Sequence, residues 1–82
     1  MKRDVVIRMT DSMETTPIAR LVALANHFHS KVYFQMDTKK VNAKSIMGMM
    51  SLVLTSGSVV TIDAEGDDEM QAVDALEEFL ST

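Results

Sequence analysis

The spacing of apolar side chains switches between two periods along this chain, and neither an all-helical nor an all-strand fold accommodates both. Residues 4–10 alternate, with Val5, Ile7 and Met9 on one face and Val6 and Arg8 on the other, which is the period of a strand. Asp11-Ser12 breaks the pattern. Ile18, Leu21, Val22, Ala25 and Phe28 then recur at helical spacing and predict an amphipathic helix over 17–28. Pro17 suits its first turn, where a missing N–H costs nothing, and Thr15 or Thr16 is the expected cap. Alternation returns over 31–36 through Val32, Phe34 and Met36. Asp37-Thr38-Lys39 reads as a hairpin turn and Lys40-Val41-Asn42 as a short return strand.

A short helix from about Ile46 to Leu52 comes next, and Ser56-Gly57 punctuates the chain. Val59-Val60-Thr61-Ile62 is β-branched and reads as a strand through Ala64, ended by Gly66. Asp67-Asp68-Glu69 places negative charge in the first turn of a last helix, where the dipole favours it. Met70, Val73, Leu76 and Phe79 or Leu80 are its expected buried stripe. The order β-α-β-β-α-β-α, with strands apolar on one face only, predicts an α+β fold: a two-layer sandwich with helices covering one side of a sheet.

The chain has 82 residues, so a single domain spanning 1–82 is expected. It contains no cysteine, which removes disulfides, thiolate metal sites and cysteine catalysis. The net charge of −4 argues against a direct nucleic-acid binder. No apolar run approaches the roughly 18 residues of a membrane span, and Met1-Lys2-Arg3-Asp4 leads straight into the first alternating run without a signal pattern. A cytoplasmic protein is therefore expected, without a membrane partner or a cofactor. Its acids cluster late, from Asp63 to Glu78, and its bases lie earlier. Scattered surface lysines explain this, as does a locally positive end near Ser45. His27 and His29 fall at the far end of the first helix, roughly 15 Å from its start by helical rise. They lack a third metal ligand in the sequence.

The run Val41-Asn42-Ala43-Lys44-Ser45-Ile46-Met47-Gly48-Met49-Met50-Ser51-Leu52 carries the clearest chemistry. A serine at a helix start caps the first turn, and a phosphate there meets backbone N–H groups. Lys44, and Lys40 at longer reach, are close enough in sequence to assist. Met49 and Leu52 are expected in the core. Ile46, Met47 and Met50 share one side of the helix. Either they pack in a small core or they form an exposed patch of adaptable thioethers. An ordinary cap that is never modified also explains Ser45.

Asn42-Ala43-Lys44-Ser45-Ile46-Met47-Gly48, Ser51-Leu52 and Gly66-Asp67-Asp68-Glu69 resemble segments of the histidine-containing phosphocarrier (HPr) family, and the likeness covers nearly the whole chain. It implies an open-faced sandwich, with a four-stranded antiparallel sheet in order 1-4-2-3 and three helices on one face. In the family a histidine in Gly-Leu-His-Ala-Arg-Pro-Ala relays a phosphoryl group, and the arginine stabilises it. This chain reads Ser12-Met13-Glu14-Thr15-Thr16-Pro17-Ile18. Glu14 stands for the histidine and Thr16 for the arginine, so no catalytic residue and no enzyme activity are expected. Glu14 reads as a solvated acid at a helix start or as a weak mimic of phosphohistidine.

Within the family, the chain is most similar to the catabolite-repression HPr-like (Crh) branch, which lacks the histidine and keeps a regulatory serine. The resemblance implies phosphorylation of Ser45 by an HPr kinase/phosphorylase. It implies partner binding through Met13, Glu14, Thr16, Pro17, Arg20, Lys44, Ser45, Ile46, Met47 and Met50. A catabolite control transcription factor and metabolic enzymes are the further partners it suggests. The alternatives are a divergent phosphocarrier of the sugar phosphotransferase system and a binding-only paralogue without phosphorylation.

Overall fold

In the computed structural model, residues 1–8, 15–52 and 54–81 are described, the side chains of residues 15–17 excepted. Seven elements follow one another: β1 (Lys2–Val6), α1 (Thr15–Asn26), β2 (Lys31–Met36), β3 (Lys39–Asn42), α2 (Ile46–Met50), β4 (Val59–Glu65) and α3 (Glu69–Ser81). The four strands form one antiparallel sheet in the order β1-β4-β2-β3, as the resemblance implied. Val5, Val32, Phe34, Val60, Ile62 and Ala64 point from it into the core. Asp4, Tyr33, Gln35, Thr61 and Asp63 alternate with them on the uncovered face. There Thr61 Oγ1 donates to Asp4 Oδ1 at 2.6 Å.

The first strand starts earlier than its apolar pattern suggested, because Lys2 already pairs with Asp63. It ends at Val6, but pairing goes on one step further: Ile7 N donates to Ser58 O at 2.8 Å and Gly57 N to Ile7 O at 2.7 Å. Val5 and Ile7 are buried, as alternation required; the expected Met9 lies outside the described residues. Arg3 links β1 to α3, with its guanidinium 2.6 Å from Asp74 and 2.9 Å from Glu77.

α1 begins at Thr15 rather than at Pro17, so Thr15 and Thr16 are helical and do not cap it. Its cap position falls outside the described residues. It stops at Asn26, two residues before the expected end, where the Asn26 amide donates to Val22 O at 2.9 Å and terminates the turn. Phe28 is therefore past the helix, half-buried against the core. In the β2–β3 hairpin Lys39 belongs to the strand and pairs with Met36. Asp37 takes a left-handed φ of 53°, which a short polar side chain tolerates.

Asp67 and Asp68 precede α3 instead of forming its first turn. The Asp68 carboxylate reaches across to the turn before β2. Its Oδ2 accepts from His29 N at 2.9 Å, and its Oδ1 accepts from Ser30 N at 2.9 Å and from Ser30 Oγ. These bonds, the Ser30 hydroxyl first and the His29 N–H next, lower its pKa to about 2. Gly66 lies against the same buried Ser30 with φ +152°. The buried stripe of α3 is Ala72, Val73, Leu76 and Leu80. Met70 is exposed, contrary to expectation; it sits two residues before Ala72, about 200° around the helix from it.

Candidate functional site: the Ser45 cap and the methionine face of α2

Two backbone bonds and one to its side chain hold Ser45 at the start of α2. Its N–H donates to Asn42 O at 3.0 Å and its carbonyl accepts from Met49 N at 2.9 Å. Its Oγ accepts from Gly48 N at 3.2 Å, with the residue itself extended at φ −109°, ψ 118°. This is an N-cap: a β-region residue whose side chain satisfies a first-turn donor. Asn42 Oδ1 accepts from Lys44 N at 2.8 Å and shapes the turn leading in. At the other end Ser51 closes the helix, its N–H and Oγ both donating to Gly48 O, at 3.1 and 2.6 Å. Lys39 Nζ donates to Ser51 O at 3.1 Å and ties that end to β3. Ser45 is half-buried.

The five residues of α2 divide sharply. Met49 is fully buried and Leu52 beyond it nearly so, both as expected for core. Ile46, Met47 and Met50 are exposed. Of the two readings open for these three side chains, the structure selects the surface patch. Ser45 caps the short helix that carries this patch.

The two lysines are placed differently from expectation. Lys44 folds back, and its Nζ donates to Phe28 O at 2.7 Å. Lys40 lies on the uncovered sheet face, 3.2 Å from Asp63 and 5.2 Å from the Tyr33 ring centre. A lysine whose register pairs it with Gln35 on that face is directed away from the helix layer. Both ammonium groups thus already have partners, Lys40 in a cation–π and ion-pair arrangement.

Arg20 is exposed on α1. Thr16 and Pro17 lie in the first turn of α1, with side chains outside the described set, and Met13 and Glu14 fall outside the described residues altogether. His27 and His29 are exposed beyond the far end of α1. Asn26, not singled out in the sequence, also bears on the site. Its amide, besides terminating α1, donates to Lys44 O at 3.3 Å. Together with Lys44 Nζ on Phe28, this fastens the residue before Ser45 to the end of α1. Its signal was local, an asparagine at a helix end; the contact to Lys44 had none. Among the described residues no helix is long and apolar enough to cross a membrane.

Known proteins resemble this chain in sequence and fold. The family model described as "PTS HPr component phosphorylation site" matches residues 1–82. The HPr-like protein Crh of Halalkalibacterium halodurans is 42% identical over 80 residues, covering 98% of this chain and 95% of that protein. The phosphocarrier protein HPr of Haemophilus influenzae is 36% identical, covering 98% and 94%. The crystal structure of phosphocarrier protein HPr from Bacillus anthracis superposes with a TM-score of 0.92 at 39% identity, covering 98% of this chain and 95% of that one. With residues 1–82 matched and its fold shared, the chain belongs to the HPr family, whose phosphocarrier and HPr-like members are not enzymes.

Proposed function

We propose that this protein is a regulatory HPr-like domain of carbon catabolite repression, spanning residues 1–82, that is phosphorylated on Ser45 and acts by binding other proteins. The observation that carries the reading is a half-buried serine capping the helix on which Ile46, Met47 and Met50 are exposed. In the transfer, Ser45 Oγ attacks the γ-phosphorus of ATP, a base of the kinase takes the hydroxyl proton, and ADP leaves. The new group adds about −1.5 to −2 charge and three acceptor oxygens. It arises where the Gly48 N–H already points at Oγ, so the modified residue keeps a donor in reach. The partner face then joins α1 and α2 through Arg20, Lys44, Ser45, Ile46, Met47 and Met50, with Met13, Glu14, Thr16 and Pro17 leading into it.

Relay through a histidine has little support. Glu14 stands where the family motif has its histidine, and the chain's two histidines lie past the end of α1. The test is incubation with an HPr kinase/phosphorylase of a Gram-positive bacterium and ATP, read by intact mass. One added phosphate on the wild type and none on Ser45→Ala is expected. No phosphate on the wild type, or equal phosphate on both, refutes the proposal. Loss of the cap costs Ser45→Ala about 1 kcal/mol, so its circular dichroism is recorded alongside. The named phosphocarrier relatives favour a second reading, a divergent carrier. Growth of a carrier-deficient strain on a transported sugar would establish that one instead.

A further inference from the structure

The methionines of α2 differ sharply in accessibility. Met47 is 85% exposed and Met50 55%, while Met49 between them is 0% exposed. The chain carries eight methionines and no cysteine. No thiol therefore competes for a two-electron oxidant, and the exposed thioethers are the first sulfur atoms it meets. We propose that Met47 and Met50 form an oxidant-responsive modification site, whose conversion to sulfoxide turns the surface beside Ser45 from apolar to polar and weakens recognition there. Its effect on recognition rests on the proposed role of that face.

The reaction is a two-electron oxygen transfer from a peroxide. A sulfur lone pair attacks one peroxide oxygen, the S–O bond forms and the O–O bond breaks. The departing hydroxide takes the proton from the transferred oxygen and leaves as water. Sulfur is oxidised and hydrogen peroxide is reduced. At Met47 and Met50 the new oxygen projects into solvent and is hydrated. At Met49 it would bury a polar group inside the core, and oxidant reaches that sulfur only when the helix opens locally. The fold therefore survives the change that alters its surface. Methionine sulfoxide reductases reverse it, one enzyme for each sulfoxide epimer. Met70, 56% exposed on α3, is an internal reference for plain accessibility away from α2.

The experiment treats the full chain with hydrogen peroxide, removes the oxidant, and maps sulfoxides by peptide mass. Met47 and Met50 are expected to oxidise at a rate comparable to Met70 and at least about tenfold faster than Met49. The far-ultraviolet spectrum stays folded. The rate of Ser45 labelling by the kinase falls at least about fivefold, as for loss of a central contact. The two reductases together restore it. In Met47→Leu/Met50→Leu, peroxide leaves that variant's own labelling rate unaltered, whatever its starting value. Oxidation of Met49 as fast as Met47 overturns the proposal. So does an unchanged labelling rate after oxidation, or an equal peroxide response in the double variant. Absence of any labelling before treatment is the failure of the Ser45 reading, whereas the order of oxidation is read without a kinase.

Discussion

Replacing Gly66 with alanine should destabilise the fold far more than the added methyl group suggests. Gly66 has φ +152°, and a Cβ built there lies 2.5 Å from Ser30 Oγ, 2.7 Å from Ser30 Cα and 2.9 Å from Ser30 Cβ. Carbon atoms in good contact sit about 3.5–4.0 Å apart, so the overlap with Ser30 Cα is near 1 Å. Backbone makes that contact, and Ser30 is buried and held by Asp68, so rotating a side chain away does not relieve it. A positive-φ conformation costs a non-glycine residue about 1–3 kcal/mol, and forcing an atom into a filled space costs about 1–3 kcal/mol more. The expected loss is about 2–6 kcal/mol, against a total of about 4–12 kcal/mol for a domain of this length. At roughly 4–8 °C per kcal/mol the melting temperature falls by at least about 8 °C.

Gly57 supplies the control. Its φ is +93°, yet nothing lies within 4 Å of a Cβ placed on it, so Gly57→Ala carries the conformational cost without the clash. Thermal and urea melts of both variants by circular dichroism separate the two contributions. Ser30→Gly in the Gly66→Ala background removes two of the three overlapping atoms, and the pair should cost less than the sum of its members. Should Gly66→Ala melt within about 2 °C of wild type, or no lower than Gly57→Ala, the close approach of the two turns is wrong.

The Asp68 pKa is lowered to about 2 in the folded protein, against its ordinary 3.8. A depressed carboxylate contributes stability that is present above its unfolded pKa and lost as pH falls through the folded one. Asp68→Asn should therefore lower the melting temperature at pH 7 and flatten its fall between 3.8 and about 2, and an acid limb identical to wild type would contradict the three-bond clamp. Met49→Ala should cost about 2–5 kcal/mol, as for other buried large-to-alanine changes. Met47→Ala should stay within about 0.5 kcal/mol of wild type, and equal costs in urea melts would mean that α2 is rotated.

Much of the architecture was legible because it rests on local periods. Alternation at Val32, Phe34 and Met36 and the helical spacing of Leu21, Val22 and Ala25 report backbone geometry directly; the strand appears with the bounds read, and the helix appears displaced by two residues at each end. Ser45 as a cap was equally local, since its Oγ serves a donor only three residues on. The sheet order came through family resemblance, because strand periods alone do not say which strands are neighbours. The stripe of α3 was misread at Met70 because several residue sets satisfy a 3.6 period, and packing against β1 and β4 selects one of them.

By itself, then, the sequence determined where strands and helices alternate, which serine begins the short helix, and that no thiol is present. Tertiary structure alone decided which charges are already engaged. Lys44 is taken by Phe28, Lys40 by Asp63 across the sheet, and Asp68 by a turn 38 and 39 positions away. It also decided which methionines of α2 face water. Local periods follow from the geometry of one backbone segment, whereas partners and exposure depend on segments distant in the chain that meet only when the layers pack.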